Sequence, residues 1–255
     1  MGARALTAIA IAAVLAVAQA GCSDAQVPSY RGAADTEVAH AQTAAERAVV
    51  AAQAAVAARP QDAEAWEALA SAYLEAGEQE AAWRAITVAC HYAPKDAGCQ
   101  DQAGAVALRG GHPQRAAAAF ARATEANPAD WVAWDGLAAA FVARGAWTRA
   151  EAAVTEALVV GGPQPESFWL AGTVAYGEHR WAVARAYFAN ALAADPHWWA
   201  PWWGLAEVDA KTGDLGSAAK EVATALALNP TAGSAWFLAQ ALRAEAPQTA
   251  DGNGG

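Results

Sequence analysis

The sequence predicts an all-α fold of stacked helix pairs, and three observations predict it. Alanine dominates a chain that is 56% hydrophobic and only 16% charged; alanine is the best helix former and is poor in strands. Ala82, Ala116, Ala150, Ala184 and Ala218 are spaced by 34 residues without a slip, as are Ala89, Ala123, Ala157, Ala191 and Ala225. Helix-ending residues keep the same period: Pro94, Pro128, Pro196 and Pro230 form one column, broken only at Gly162, and Gly77, Gly111, Gly145 and Gly213 form another, with His179 in the missing slot.

Each repeat is two amphipathic helices of about a dozen residues, turned at the glycine and stopped at the proline. The fixed alanines let two backbones approach, and a bulky residue from the facing helix fills the gap. That bulky column runs Trp66, Trp134, Phe168, Trp202 and Trp236, and Gln100 interrupts it. In order along the chain, residues 36–62 carry Ala48, Ala55 and Pro60 in the same phase, the second half of a degenerate repeat. Full repeats follow at 63–96, 97–130, 131–164, 165–198 and 199–232, then a closing helix at 233–246 and a disordered tail at 247–255. One pair cannot bury its apolar face alone, so the repeats stack into a solenoid.

The stretch AEAWEALASAYLEAGEQEAAWRAITVACHYAPKD, Ala63 to Asp96, resembles the tetratricopeptide repeat (TPR). The resemblance covers nearly all of the chain after its first residues. It implies a right-handed superhelix of antiparallel helix pairs whose concave groove holds an extended peptide or protein partner.

Four tryptophans crowd the stretch HWWAPWWG, His197 to Gly204. Trp202 belongs to the bulky column and is expected in the core. Trp203 lies about 100° round the helix, in a column that reads Glu67, Asp101, Asp135, Trp169, Trp203, Phe237, acidic first and aromatic second. By the resemblance this column faces the groove, with Tyr176 and Trp198 near it, so Trp169, Tyr176, Trp198, Trp203 and Phe237 form a candidate partner-binding set. Packing among themselves is the competing reading, and self-association a third. Asp209 falls in a column of Tyr73, Ala107, Phe141 and Ala175 that should be half-buried. It either bonds a neighbouring Arg or backbone group, or serves as a polar anchor in the groove.

The start of the chain has the order of an export signal: basic Met1 to Arg4, an apolar run to Ala18, then AQAGC. Ala20-Gly21-Cys22 resembles the lipobox of bacterial lipoproteins, with Gln19 where leucine is usual. The resemblance implies removal of residues 1–21, lipidation of Cys22 and a flexible tether over 22–35. Ser23 resembles an outer-membrane sorting address. Cleavage after Ala20, releasing a soluble periplasmic protein, is the alternative.

In an oxidising compartment Cys90 and Cys99 can form a disulfide across the turn between the first two full repeats, the other reading being two buried thiols. No zinc-type or haem-attachment spacing occurs, so no metal or cofactor is expected. A net charge of -10, with 16 Lys and Arg against 26 acids, argues against nucleic acid as partner. No phosphate loop, His-Glu-x-x-His or Gly-x-Ser-x-Gly occurs, so the chain reads as a scaffold and not an enzyme.

The expected function is therefore an exported, lipid-anchored scaffold, held to the membrane by its N-terminus, that binds a peptide or protein of the cell envelope and assists assembly of an envelope complex. Its length and layout resemble TPR lipoproteins that help assemble the secretins of type IV pili. The alternative is a permanent subunit of such a complex, with the closing helix covered. A third reading is a small-molecule or glycan binder using the tryptophans.

Overall fold

The computed structural model describes residues 34–233, 235, 238 and 239. The export signal, Cys22, most of the tether, Trp236, Phe237 and the tail lie outside the described residues. Every described element is a helix: α1 Ala34–Ala58, α2 Ala63–Glu75, α3 Gln79–Tyr92, α4 Ala97–Arg109, α5 Pro113–Ala126, α6 Trp131–Val142, α7 Trp147–Gly161, α8 Pro165–Gly177, α9 Trp181–Ala194, α10 Trp199–Thr212 and α11 Leu215–Leu228. The chain forms two compact units, Met1–Val160 and Gly161–Gly255.

Local chemistry sets each boundary. The first helices of the first three full repeats start at Asp62, Asp96 and Asp130, whose carboxylates accept from the backbone N–H two residues on at 3.2, 2.9 and 3.0 Å. Such caps satisfy a donor that the helix itself leaves free. At α8 and α10 the capping position holds Gln164 and Trp198, with no side-chain cap. Pro165 opens α8 instead, at a position where the missing N–H costs nothing.

The turn inside each repeat is the same bond repeated. The N–H groups of Glu78, His112, Ala146, Arg180 and Asp214 donate to the carbonyls of Tyr73, Ala107, Phe141, Ala175 and Asp209 at 2.8–2.9 Å. This closure needs a left-handed residue just before the donor. Gly77, Gly111, Gly145 and Gly213 supply it with φ between 65° and 88°, and His179 does so at φ 60°. The histidine thus keeps the turn instead of altering it.

Packing follows the ladder. All ten column alanines, from Ala82 to Ala225, are fully buried at 0% exposure. In the first unit neighbouring helices pack in sequence from α1 to α6, and α4 also meets α6; in the second, α8, α9, α10 and α11 do the same, with α8 meeting α10. The buried residue on the second helix alternates through Ile86, Phe120, Val154, Phe188 and Val222. Where it is phenylalanine, glycines face it. A Cβ on Gly104 or Gly136 would lie 2.7 or 2.3 Å from the Phe120 ring, and one on Gly172 or Gly204 would lie 2.6 or 2.7 Å from the Phe188 ring. The two phenylalanines fit only because backbone stands opposite them.

Candidate partner-binding face

The acidic row sits on the first helices of the first unit: Glu67 on α2, Asp101 on α4 and Asp135 on α6. Their spacing by one repeat puts them at the same position of the first helices of successive repeats. Glu67 accepts from the side-chain amide of Gln102 at 3.1 Å, and its burial outweighs that bond and holds its carboxyl above the usual range. Asp135 is only 2% exposed. Asp101 is the exceptional member. Its Oδ1 is buried with no hydrogen-bond partner among the described residues, and desolvation, helped by the charge of Asp130, pushes its pKa up to about 7. A carboxylate so placed gains most from a cation brought by something else.

The aromatic set departs from the sequence reading. Trp169 is 2% exposed and stands 5.6 Å from the half-buried Trp198. Tyr176 lies edge-on to Trp181 at 5.2 Å, and burial pushes its hydroxyl pKa well up. Trp203 is 6% exposed, 6.4 Å from Trp199, and shares a core with Ala206, Ala218, Val222, Ala232, Ala235 and Ala239. These alanines leave room that only a large ring fills. Trp202, expected at the centre, is the half-buried one, and its indole N–H donates to the Pro196 carbonyl at 3.1 Å. Trp169 and Trp203 are therefore packing residues, and the aromatics form separate pairs instead of one open stripe. Phe237 lies outside the described residues.

Asp209 is fully buried, and Arg185 of α9 forms an ion pair with it, the Arg185 side chain remaining 46% exposed. The polar-anchor reading gives way to a local bond between consecutive repeats. Cys90 and Cys99 are joined in a disulfide, with Cα atoms 5.6 Å apart, tying the end of α3 to the start of α4.

Tetratricopeptide-repeat family models match residues 102–166 and 175–245, together just over half of the chain. The chain belongs to the tetratricopeptide-repeat family. Among solved structures, this TPR protein is similar to the APC/C hetero-tetramer Cut9–Hcn1, at 17% identity and TM-score 0.68 over 78% of this chain. It spans 40% of that chain, well under half its length. It is similar to TTC0263, a thermophilic TPR protein in Thermus thermophilus, at 19% identity and TM-score 0.63, covering 71% of this chain and 99% of that one. It also resembles YrrB, a TPR protein with an unusual peptide-binding site, at 18% identity and TM-score 0.53, covering 74% and 98%. Identities this low carry the fold alone. No curated protein matches the chain.

Within that fold, the acidic column was legible in the sequence, but what distinguishes Asp101 in it was not. The signal was available: Asp130, the cap of the next repeat, adds a like charge, and Gln102 beside it turns to Glu67. Arg185 also went unseen as the partner of Asp209, because the two are 24 residues apart, a spacing that has meaning only once α9 and α10 are packed.

Proposed function

We propose that this TPR protein is an exported, lipid-anchored scaffold that receives a basic segment of a protein partner on the acidic row of its first unit and so assists assembly of a cell-envelope complex, such as a pilus or secretion machine. The observation that carries the partner reading is Asp101, whose Oδ1 is buried with no hydrogen-bond partner among the described residues. Such a group costs stability in the isolated protein, and a lysine or arginine side chain from a bound segment would recover it. TPR scaffolds are typically binding surfaces without catalytic groups, which fits the absence of catalytic motifs in the sequence.

Export is supported by the order of charge and hydrophobicity in residues 1–22 and by the Cys90–Cys99 bond, a linkage that persists in oxidising compartments. The anchor reading rests on Cys22 behind Ala20-Gly21.

The test is a crosslinking pull-down from native envelopes that compares wild type with Asp101→Asn. Trp169 and Trp203 are unsuitable probes, since truncating a buried ring costs about 3–5 kcal/mol of stability and would confound the comparison. Wild type should retain a specific envelope protein and the Asn variant should lose it, with helicity intact. An identical set of captured proteins from both chains would sink the acidic-row reading. Cys22→Ser should move the protein from the membrane to the soluble fraction, and unchanged fractionation would sink the anchor.

A further inference from the structure

Gln100 breaks the bulky column, and the structure shows what the break leaves behind. In the first, third and fifth full repeats the column holds Trp66, Trp134 and Trp202, each donating its indole N–H to the carbonyl of a proline six residues earlier, at 2.9, 2.9 and 3.1 Å. The second repeat keeps that proline as Pro94 but puts Gln100 where the ring should be, and Ala103 where the first, third and fifth repeats have Leu69, Leu137 and Leu205. Two large side chains are thus replaced by smaller ones at one place.

The space is not refilled. A pocket of about 490 Å³ lies there, entirely within the first unit and bounded by α3, α4 and α5, with Pro94, Gln100 and Ala103 in its lining. This volume falls in the range of small-ligand sites. Gln100, only 7% exposed, lines it and makes no side-chain hydrogen bond among the described residues. Trp83 forms one wall, and Cys90, bonded to Cys99, fixes the end of α3 beside it.

Cations stand at the same pocket. Arg115 and Arg122 both line it from α5, one about two turns beyond the other. Arg115 lies over the Trp83 ring, 5.4 Å from its centroid, and meets Glu80 at 3.3 Å, so part of its charge is already committed. Arg122 is exposed and forms no ion pair among the described residues. Among the described residues no carboxylate lines the pocket, although the chain as a whole carries a net charge of -10.

We propose that this pocket binds the C-terminal aromatic residue of a peptide: the ring takes the place of the absent indole, between Trp83, Pro94 and Ala103, and the terminal carboxylate pairs with Arg122 and Arg115. The carboxamide of Gln100 is placed to bond the last peptide group. A planar ring buries most of its area there without creating new space, and an arginine pair is suited to a carboxylate. This site lies between the second helices of the first and second full repeats and the Gln100–Ala103 side of α4; Glu67, Asp101 and Asp135 do not line it, so the pocket and the acidic row are tested independently.

Fluorescence anisotropy of the full chain with a labelled hexapeptide ending in Ser-Gly-Trp tests this, using the free acid, the C-terminal amide and a Ser-Gly-Gly acid. The free Trp acid should bind at least tenfold tighter than either control. Gln100→Trp restores the ring that sibling repeats carry, so it should keep full helicity and lose tenfold or more of the affinity. Arg122→Ala should reduce the difference between acid and amide to threefold or less, Arg115 holding what remains, and an undiminished difference would overturn the pairing. Equal binding of acid and amide by wild type, no difference between Trp and Gly termini, or wild-type affinity in a folded Gln100→Trp protein would each overturn the proposal. Should Gln100→Trp not fold, the Arg122→Ala comparison decides alone.

Discussion

The ring of Phe120 lies where a side chain on Gly136 would begin: a Cβ there would stand 2.3 Å from Cε1. Gly104 faces the same ring, and Gly172 and Gly204 frame Phe188 in the same way. Ring and glycine are therefore one choice made at two places.

Gly136→Ala should cost about 1–3 kcal/mol, since the ring must leave its rotamer or push α6 away. Phe120→Val removes the obstacle and copies the residue used at Val154 and Val222. Adding it to Gly136→Ala should cost less than the sum of the single changes by about 1 kcal/mol or more. Urea unfolding followed by circular dichroism of the four proteins measures this, and additive costs would show that the two positions do not share the space.

Arg185 and Asp209 should respond unequally to truncation. Arg185→Met leaves a fully buried carboxylate without its cation and should cost about 3 kcal/mol. Asp209→Ala leaves an arginine whose side chain is partly exposed and places the residue found at Ala107 and Ala175 in sibling repeats. It should cost about 1 kcal/mol or less. The double variant should recover to the level of Asp209→Ala. Thermal melts of the set suffice, and equal single costs would mean the pair is not held as described.

Asp101 gives the protein a pH signature. Its pKa is raised from 3.8 to about 7 in the folded chain, so between these values the folded state holds a proton that the unfolded state has released. Stability therefore falls as pH rises through this window and levels off above it. Burial drives Glu67 and Glu221 in the same direction. Asp101→Asn removes the largest of these effects. Its melting point should match wild type near pH 4 and exceed it at pH 8. A variant that melts lower at pH 8 would show that the carboxylate has a stabilising partner.

His179 holds the left-handed position that glycines hold elsewhere, at φ 60°, with its ring 5.1 Å from Trp181. A side chain in that conformation costs about 1–2 kcal/mol, part of which the greater freedom of glycine in the unfolded chain offsets. His179→Gly should thus gain up to about 1 kcal/mol, while His179→Ala keeps the strain and loses the ring contact. The expected order of melting points is Gly, His, Ala; Ala above His would mean the turn is relaxed.

Repeat length and turns were legible in the sequence, because each rests on local chemistry that recurs every 34 residues. The left-handed turn follows from a glycine, or from one histidine in its slot, and the column alanines follow from the need for backbones to approach. The alternation of Phe120 and Phe188 with Ile86, Val154 and Val222 took its meaning only from packing, which sets glycines against each phenylalanine ring. What the sequence did not decide was which tryptophan of the pair Trp202 and Trp203 is buried. The first helix of a stacked repeat has neighbours on more than one side, so two stripes about 100° apart can both be packed. Only tertiary structure shows that alanines around Trp203 leave a hole for its ring, while Trp202 gives its N–H to Pro196 and stays half in water. The same holds for Gln100: the sequence displays a missing ring, but the packing of α3, α4 and α5 around it decides that the place becomes a pocket.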